Sequence, residues 1–530
     1  MATSVKDQDL LSLQEARTLL RRAREAWNTL GHFPQEKIDR IVAAAAEAAS
    51  NASLELAKLA VEETGYGIVE HKFLKNKFAA VDVYDFIKDM KTVGVIREVP
   101  EKKLYEIAEP VGVVAAVIPS TNPTSTAIYK ILISLKARNT IVLSPHPAAK
   151  RCICATAEIM RKAALAAGAP EGSIECMEHV SIEGTQELMR NRETSVILAT
   201  GGMGLVRAAY SSGKPAFGVG PGNVPAYIES SADVVKAVRD VMTGKSYDNG
   251  TLCCSEQALL CDEAISRQVR ERVVAEGGAF LTAEQMRAVE RVAILPSRLA
   301  NPQIVGKSAT FIAEKAGINV PARTRVLVAE LQGVGRDYPL SIEKLSPILA
   351  FYVVKDWRDG CERAKEILRY GGMGHTLTIH SQNRDIIMEF GLQKPAFRII
   401  VNSTATHGAV GFSTGLAPAM TLGCGAYGGN ITSDNITPLH LINIKRLAFE
   451  TRPVDVEAAL AEYGFASSSG PEGRGRSTSA LRTGAAPAVT PSGQSVEERV
   501  TSFLASRGLP GLPATSGLSN SSTSADRTVG

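Results

Sequence analysis

The chain has 530 residues, of which 45% are hydrophobic and 22% charged, and its formal net charge is +4. This composition is typical of a globular protein with two or more domains, and the small net charge does not support nucleic-acid binding. No apolar run reaches the roughly 20 residues of a membrane span, and the first residues lack a signal-peptide pattern. The eight cysteines lack the spacing of a disulfide framework or a metal site, so we expect a cytoplasmic protein without a metal.

The amino-terminal part of the chain predicts helices followed by a hairpin. Apolar residues recur at helical spacing over residues 8–64. Two extended runs on either side of Pro100 then predict a β-hairpin over residues 93–109. We expect this hairpin to be the element through which the chain oligomerises.

After Pro110, short apolar runs alternate with helical patterns. The runs at 111–118, 140–143 and 195–199 are apolar almost throughout, as strands buried on both faces of a parallel sheet are. This alternation predicts an α/β fold with a doubly wound parallel sheet, which binds its ligands at the carboxyl ends of the strands. A second alternation over residues 258–400 predicts a second α/β domain.

Two glycine-rich turns follow in this part of the chain. Gly201, Gly202 and Gly204 open a helix, where backbone N–H groups and the helix dipole suit a phosphate. The pattern is not the G-x-G-x-x-G dinucleotide fingerprint, and a plain turn into a helix explains it equally well. Residues 218–225 predict a second turn, which is equally ambiguous by itself.

The rest of the sequence is organised around residues 246–257, SYDNGTLCCSEQ. Asp248, Asn249 and Gly250 predict a tight turn, because Asn and Gly tolerate positive φ, and the turn presents Cys253 just before a new apolar run. Backbone N–H groups near such a turn lower the pKa of a thiol, so we expect Cys253 to be a nucleophilic thiolate. A buried structural cysteine is the alternative that this window alone leaves open.

The carboxyl-terminal part changes character twice. Residues 404–431 are rich in glycine and predict loops packed against a ligand or a neighbouring chain. Residues 466–494 and 509–530 contain little that can be buried and predict a disordered linker and tail. Between them, residues 495–508 predict a short amphipathic helix that folds on a partner. A chance pattern, or a helix that packs on its own domain, is the alternative.

Six motifs in order along the chain resemble those of the CoA-acylating aldehyde dehydrogenases, within the aldehyde dehydrogenase superfamily. The resemblance covers most of residues 8–454. It implies a cofactor-binding domain over 1–228, a catalytic cysteine domain over 229–425 and a return segment over 426–465. The motifs are IPSTNP at 118–123, SPHP at 144–147, TGGMG at 200–204, DNG with Cys253 at 248–253, EKLSP at 343–347 and LGCG at 422–425.

The resemblance also implies roles for individual residues. Cys253 would attack the aldehyde to give a thiohemiacetal, with the oxyanion held by the Asn122 amide and the Cys253 N–H, and hydride transfer to NAD would leave a thioester. Glu343 would hold the nicotinamide-side ribose. Ser144 stands where many relatives carry a lysine suited to a 2′-phosphate, which favours NAD over NADP. The implied cofactor-binding residues are Ile118, Pro119, Ser120, Thr121, Ser144, Pro145, His146, Pro147, Thr200, Gly201, Gly202, Gly204, Val219, Gly220, Glu343 and Leu345.

One departure from the hydrolytic members favours the acylating reaction. Those members carry a glutamate in the turn matched here by residues 218–225, where Val219 stands near that position and no carboxylate occurs. Without this base, coenzyme A rather than water would accept the acyl group. The alternatives are a hydrolytic aldehyde dehydrogenase and an inactive scaffold that binds the protein shell of a microcompartment. The scaffold is opposed by the presence of Cys253, Asn122 and Glu343.

The resemblance extends to substrate, location and partners. The subgroup resembles enzymes for propionaldehyde and acetaldehyde, and the sequence does not choose between the two. Residues 495–508 resemble the encapsulation peptides of bacterial microcompartments, which implies shell proteins as partners besides a homodimer or homotetramer. Cys254 is the second choice of nucleophile, and for His375 and His407 a structural role is favoured over a role in the pocket.

Overall fold

The computed structural model describes residues 7–464. Residues up to Ala448 belong to one unit, which contains all three β-sheets, and a second unit begins at Phe449. The described part of the second unit contains helix α17, Val456–Glu462. The predicted linker (466–494), partner-binding helix (495–508) and tail (509–530) lie outside the described residues.

The amino-terminal part is helical, as predicted, and the helices continue further than the sequence pattern indicated. The prediction of helices over residues 8–64 is confirmed, whereas the two helices after residue 64 were not predicted. A π-helical turn, Phe78–Asp82, joins these two. The five helices are α1 (Gln8–Leu30), α2 (Gln35–Asn51), α3 (Ser53–Thr64), α4 (Val69–Lys77) and α5 (Val83–Ile87).

A three-stranded antiparallel sheet contains the predicted hairpin. Strands β1 (Gly94–Val99) and β2 (Leu104–Pro110) pair on either side of the turn at Pro100, which confirms the hairpin. Strand β15 (Ile442–Ala448) pairs with the other edge of β2. This third strand was not predicted, because its partner lies more than 300 residues away in the sequence.

The first parallel sheet has five strands in the order β5-β4-β3-β6-β7. From the central strand β3 the chain winds outward to β4 and β5, and it then crosses back to β6 and β7. The winding therefore reverses between β3 and β6, which is where doubly wound sheets bind ligands. The strands are β3 (Val113–Ile118), β4 (Thr140–Pro145), β5 (Ile174–Cys176), β6 (Thr194–Thr200) and β7 (Ala216–Val219), and the helices are α6 (Pro123–Lys136), α7 (Lys150–Ala166), α8 (Ile182–Arg190) and α9 (Met203–Tyr210).

The second parallel sheet has seven strands in the order β10-β11-β12-β9-β8-β13-β14. It confirms the second α/β alternation. The strands are β8 (Val224–Ile228), β9 (Glu256–Asp262), β10 (Gly278–Phe280), β11 (Val326–Glu330), β12 (Ile348–Val354), β13 (Gly374–His380) and β14 (Ala396–Val401). The helices are α10 (Val234–Ser246), α11 (Ser266–Ala275), α12 (Ala283–Ala293), α13 (Ala309–Lys315), α14 (Trp357–Tyr370), α15 (Arg384–Gln393) and α16 (Ala405–Ala409).

The link between the two parallel sheets is shorter than the predicted turn over residues 218–225. Strand β7 continues to Val219 and β8 begins at Val224, so the turn itself comprises residues 220–223. The predicted turn was too long at both ends because Gly218 lies within β7 and Pro225 within β8, and these residue types usually interrupt strands. The domain boundaries at 228 and 425 remain a proposal.

The apolar runs of both parallel sheets form the core. All six residues of β3 and all seven of β9 are buried, as strands covered on both faces must be. The glycine-rich segment 404–431 is mostly loop and packs closely on its own chain: a Cβ atom at Gly374 would lie 1.9 Å from the Cys424 carbonyl oxygen. A ligand or neighbouring chain at this segment remains a prediction. Within residues 7–464, no helix is long and apolar enough to cross a membrane.

Candidate active site

A cavity of about 770 Å³ lies where the two parallel sheets face each other. The carboxyl ends of β3, β4, β6 and β7 line one side. Segments that precede β9 and β12, at the amino edge of the seven-stranded sheet, line the other. All sixteen residues predicted to bind the cofactor line this cavity, together with Cys253 and Asn122. The structure thus brings the predicted residues together, and their individual roles remain predictions.

The cysteine turn has the predicted backbone conformation. Asp248, Asn249 and Gly250 have φ values of 48°, 53° and 73°, so three successive residues lie in the left-handed region. Helix α10 ends just before this turn and β9 begins at Glu256, three residues after Cys253. The turn therefore holds the half-buried Cys253 at the edge of the cavity.

The prediction of a lowered thiol pKa is wrong. A hydrogen bond with the Cys254 thiol and burial raise the pKa of Cys253 well above its usual value. The charge of a protonated His375 acts in the opposite direction and lowers this pKa. Removal of the Cys253 proton therefore requires a nearby acceptor, since backbone dipoles alone do not favour the thiolate here.

His375 lies beside Cys253, a placement that the sequence interpretation did not favour. It is the second residue of β13 and is fully buried. Its Nδ1 atom lies 3.0 Å from the Thr376 hydroxyl, while its Nε2 atom has no hydrogen-bond partner among the residues described. His407, in contrast, has its Nδ1 2.8 Å from the Thr404 hydroxyl and packs edge-on against the Tyr247 ring, and burial lowers the pKa of His407 to about 4. Of the two, His375 is the one placed to exchange a proton with the thiol.

Asn122 occupies the N-cap position of α6, but its side chain makes no capping hydrogen bond. The carboxamide turns toward the cysteine turn instead. Its Nδ2 donates to the Thr251 carbonyl oxygen at 3.2 Å and to the Thr121 hydroxyl at 3.2 Å, both long contacts. Its Oδ1 accepts a hydrogen bond from Lys75 at 2.5 Å. The amide N–H is therefore held close to the segment that carries Cys253.

A buried cluster of charges supports both Asn122 and the cysteine turn. Lys72 and Lys75, on α4, both donate to Asp248 Oδ2, the first at 3.1 Å. Lys72 also donates to the Thr121 carbonyl oxygen at 3.0 Å, and the Thr251 hydroxyl donates to Asp248 at 2.7 Å. Although burial opposes it, the two ammonium groups hold the pKa of Asp248 below its usual value, and burial lowers the pKa of Lys75 to about 7.

This cluster was missed at the level of sequence. The three-residue spacing of Lys72 and Lys75 puts both on one helix face. Nothing in the pattern of α4 indicates that this face is buried, because lysine side chains usually lie in solvent. Asp248 was taken only as a turn residue.

Glu343 lies across the cavity and is joined to the turn between the sheets. Its Oε1 accepts a hydrogen bond from the Gly222 N–H at 2.8 Å. Burial raises the pKa of Glu343 to about 7, although this N–H, Lys245 and Lys344 act in the opposite direction. With one oxygen held by the backbone, the carboxylate is positioned to accept hydrogen bonds from a ligand such as a ribose diol.

We expect Glu343 to make stability depend on pH. The folded protein keeps this proton between pH 4.5 and about 7, where the unfolded chain has lost it, so the free energy of unfolding falls as pH rises through this window. Glu343→Gln should flatten this decline by up to about 1.4 kcal/mol per pH unit in urea unfolding. The exposed Glu284→Gln on α12 is the control and should leave the decline unchanged. An unchanged decline in Glu343→Gln would contradict the prediction.

Gly222 fills a position where a side chain has no room. A Cβ atom there would lie 2.1 Å from the Cys253 carbonyl oxygen and 3.2 Å from the His375 ring. We expect Gly222→Ala to displace Cys253 and to lower kcat/KM by about 100-fold, the cost of misplacing a reacting group by around 1 Å. Gly415→Ala is the matched control, because a Cβ atom there meets nothing within 4 Å. Steady-state kinetics of the two variants test this prediction, and equal losses of kcat/KM in both would contradict it.

The cavity fits a nicotinamide dinucleotide. Its lining follows the strand ends around the point where the winding reverses, and α9 begins there with Gly202 at its N-cap and no side-chain cap. At the β4 end, the Ser144 hydroxyl lies 2.9 Å from the Thr185 hydroxyl. In the described part of the chain, no lysine or arginine side chain lines the cavity. The lining therefore offers no cation that could pair with the 2′-phosphate of NADP.

The fold and the cavity together define an α/β protein in which a cysteine lies at the edge of a cleft suited to a nucleotide. A sequence model of the aldehyde dehydrogenase family matches residues 4–288, and the chain belongs to this family.

Two solved structures share the fold. An acetylating aldehyde dehydrogenase from Geobacillus thermoglucosidasius is 52% identical, with a TM-score of 0.84 over 85% of this chain and 100% of the other. A propionaldehyde dehydrogenase from the Clostridium phytofermentans fucose utilisation bacterial microcompartment is 27% identical, with a TM-score of 0.73 over 82% and 97%.

A longer relative is also similar. The bifunctional aldehyde-alcohol dehydrogenase AdhE of Escherichia coli (strain K12) is 44% identical over 442 residues, which are 82% of this chain and 50% of AdhE. The chain thus spans about half the length of this relative.

Proposed function

We propose that this chain is a CoA-acylating aldehyde dehydrogenase, which converts a short-chain aldehyde, NAD and coenzyme A reversibly into acyl-CoA and NADH. The observation that carries the proposal is the turn at residues 220–223. This turn contacts Cys253 through Gly222 and contains no side chain that could activate water. Similarity to the acetylating enzyme of Geobacillus thermoglucosidasius supports the same reaction.

In this proposal Cys253 and His375 act together. The thiol gives its proton to the His375 imidazole and the sulfur bonds to the aldehyde carbon, while the carbonyl electron pair moves to the oxygen. The Asn122 amide and the Cys253 backbone N–H stabilise this oxyanion. Bound NAD would supply the hydride acceptor that turns the thiohemiacetal into a thioester. The thiol of coenzyme A loses its proton to solvent, and the thiolate attacks the thioester carbon. The Cys253 thiolate leaves and takes back the proton that His375 holds.

The residues that would hold NAD are those of the cavity lining. The open N-terminus of α9 suits the pyrophosphate, and Glu343 suits the ribose hydroxyls. We favour NAD over NADP because, among the described residues, no lysine or arginine lines the cavity near Ser144. The substrate would be propionaldehyde or acetaldehyde.

A single-turnover experiment tests this proposal. With propionaldehyde and NAD but no coenzyme A, we expect a burst of NADH equal to the number of active sites. Intact-protein mass spectrometry should then show one propionyl group on the wild-type protein and none on the Cys253→Ala variant. Addition of coenzyme A should remove the group and release propionyl-CoA. Loss of the propionyl group to water at the same rate without coenzyme A would support a hydrolytic enzyme instead.

We further propose that the chain works inside a bacterial microcompartment. Residues 495–508 would be the segment that contacts the shell, and the propionaldehyde dehydrogenase from such a compartment supports the proposal by its similarity. Deletion of 495–508 should leave turnover intact and abolish co-purification with shells, whereas continued co-purification would refute it.

The other proposed partner is a second copy of the chain, bound through the three-stranded sheet, whose strand β15 leaves Ile444 and Leu447 exposed.

A further inference from the structure

We propose that Lys75 is a positioning residue that fixes the orientation of the Asn122 carboxamide, so that the amide N–H and not the carbonyl oxygen faces the aldehyde oxygen on Cys253. This inference rests on the proposed role of Asn122 as an oxyanion donor. Lys75 lies on α4, outside every motif that resembles the family, and is buried.

The orientation follows from what each group can donate. An ammonium group has three donors and no acceptor, so the Asn122 atom 2.5 Å from Lys75 Nζ must be the carbonyl oxygen. The amide nitrogen then lies on the opposite side, where it donates to the Thr251 carbonyl, two residues before Cys253. Its second, long contact, to the Thr121 hydroxyl, can be exchanged for a substrate oxygen.

Without Lys75, the remaining groups that oppose a half-turn of the carboxamide are weak, because its two ends have nearly the same shape and the contact of its Nδ2 with the Thr251 carbonyl is long, at 3.2 Å. The carbonyl oxygen would then face the developing oxyanion and repel it. The loss of rate should be smaller than that of removing an oxyanion-hole donor outright, about 10²- to 10³-fold in kcat, because a fraction of the molecules keeps the productive orientation.

Lys75 is itself held in place by its surroundings. It pairs with the carboxylate of Asp248, and its Nζ lies 3.5 Å from the Thr251 hydroxyl. Lys72, on the same helix, pairs with the same carboxylate but contacts the Thr121 carbonyl and not Asn122. Titratable groups close to this cluster include His71, whose Nδ1 accepts the Asp248 N–H, together with Tyr247, Cys254 and Cys152.

This difference between the two lysines provides a matched pair of variants. Lys75→Met and Lys72→Met each remove one buried cation and one ion pair to Asp248, and we expect similar losses of thermal stability. We expect Lys75→Met to slow the NADH burst by about 10- to 100-fold more than Lys72→Met does at saturating aldehyde, with the KM for NAD unchanged. The measurement is made about one pH unit below 7, because burial lowers the pKa of Lys75 to about 7 and the ammonium form predominates there. Equal slowing in both variants would overturn the proposal.

A double-mutant cycle separates positioning from a merely structural role. In an Asn122→Ala background there is no carboxamide to orient, so Lys75→Met should slow the burst no further. If Lys75→Met slows the burst by the same factor in both backgrounds, the proposal is wrong. If Asn122→Ala itself keeps the wild-type rate, the role of Asn122 in the proposed function fails, and the inference fails with it.

A second variant covers the case in which Lys75→Met does not fold. Lys75→Gln keeps a polar, hydrogen-bonding side chain, but an amide both donates and accepts and so does not select one orientation of Asn122. We expect Lys75→Gln to slow the burst by about 10-fold or more. A wild-type burst rate in Lys75→Gln would overturn the proposal.

Discussion

Cys253→Ala is expected to lower the rate of NADH formation by about 10⁴-fold or more, the scale seen when a covalent nucleophile is removed. Among the described residues, Cys253 is the cysteine that lines the cavity, and its thiol lies beside His375. Because the thiol is half-buried at the cavity edge, its removal should change the free energy of unfolding by less than about 1.5 kcal/mol. NADH absorbance and urea unfolding measure the two effects.

Cys254→Ala is the matched control for this prediction. The Cys254 thiol is fully buried and donates to the Thr406 carbonyl at 3.4 Å, away from the cavity. We expect this variant to retain turnover within about 10-fold and to lose stability through the space it leaves in the core. Turnover retained in Cys253→Ala and lost in Cys254→Ala would mean that the neighbouring cysteine is the nucleophile.

Asn122→Ala should lower kcat by about 10²- to 10³-fold, or ~2.7–4 kcal/mol in activation free energy, as removal of an oxyanion-hole donor does. The KM for NAD should change little, since the amide contacts the reacting oxygen in our proposal. Asn301→Ala is a suitable control, because this half-buried amide also donates to a main-chain carbonyl, that of Val292 at 2.8 Å, but lies outside the cavity. Steady-state kinetics of both variants provide the test, and a wild-type kcat in Asn122→Ala would remove the amide from the mechanism.

The α/β architecture and the side of the cavity formed by the five-stranded sheet were predictable from the sequence pattern. Strands buried on both faces are continuous apolar runs, so β3, β6 and β12 stand out from the helices between them. Because the carboxyl ends of parallel strands share one edge, residues as distant as Thr121 and Thr200 were expected at one site. The turn at Asp248 was also predictable, since its residue types tolerate positive φ.

Other features depend on contacts between distant segments, which no local pattern records. Strand β15 exists because β2 offers an unpaired edge more than 300 residues earlier. Lys72 and Lys75 are buried because Asp248, far along the chain, supplies the compensating charge. The raised pKa of Cys253 follows from the hydrogen bond with Cys254 and from burial, whereas the sequence suggested only the lowering effect of nearby backbone dipoles.

The most direct test of the central claim is steady-state NADH formation from propionaldehyde and NAD, with and without coenzyme A, followed by identification of the product by mass. The turn next to Cys253 contains no base to activate water, and in our proposal His375 already holds the Cys253 proton at the thioester stage. We therefore predict sustained turnover only with coenzyme A and propionyl-CoA as the product. Sustained turnover without coenzyme A, with propionate as the product, would contradict the acylating mechanism.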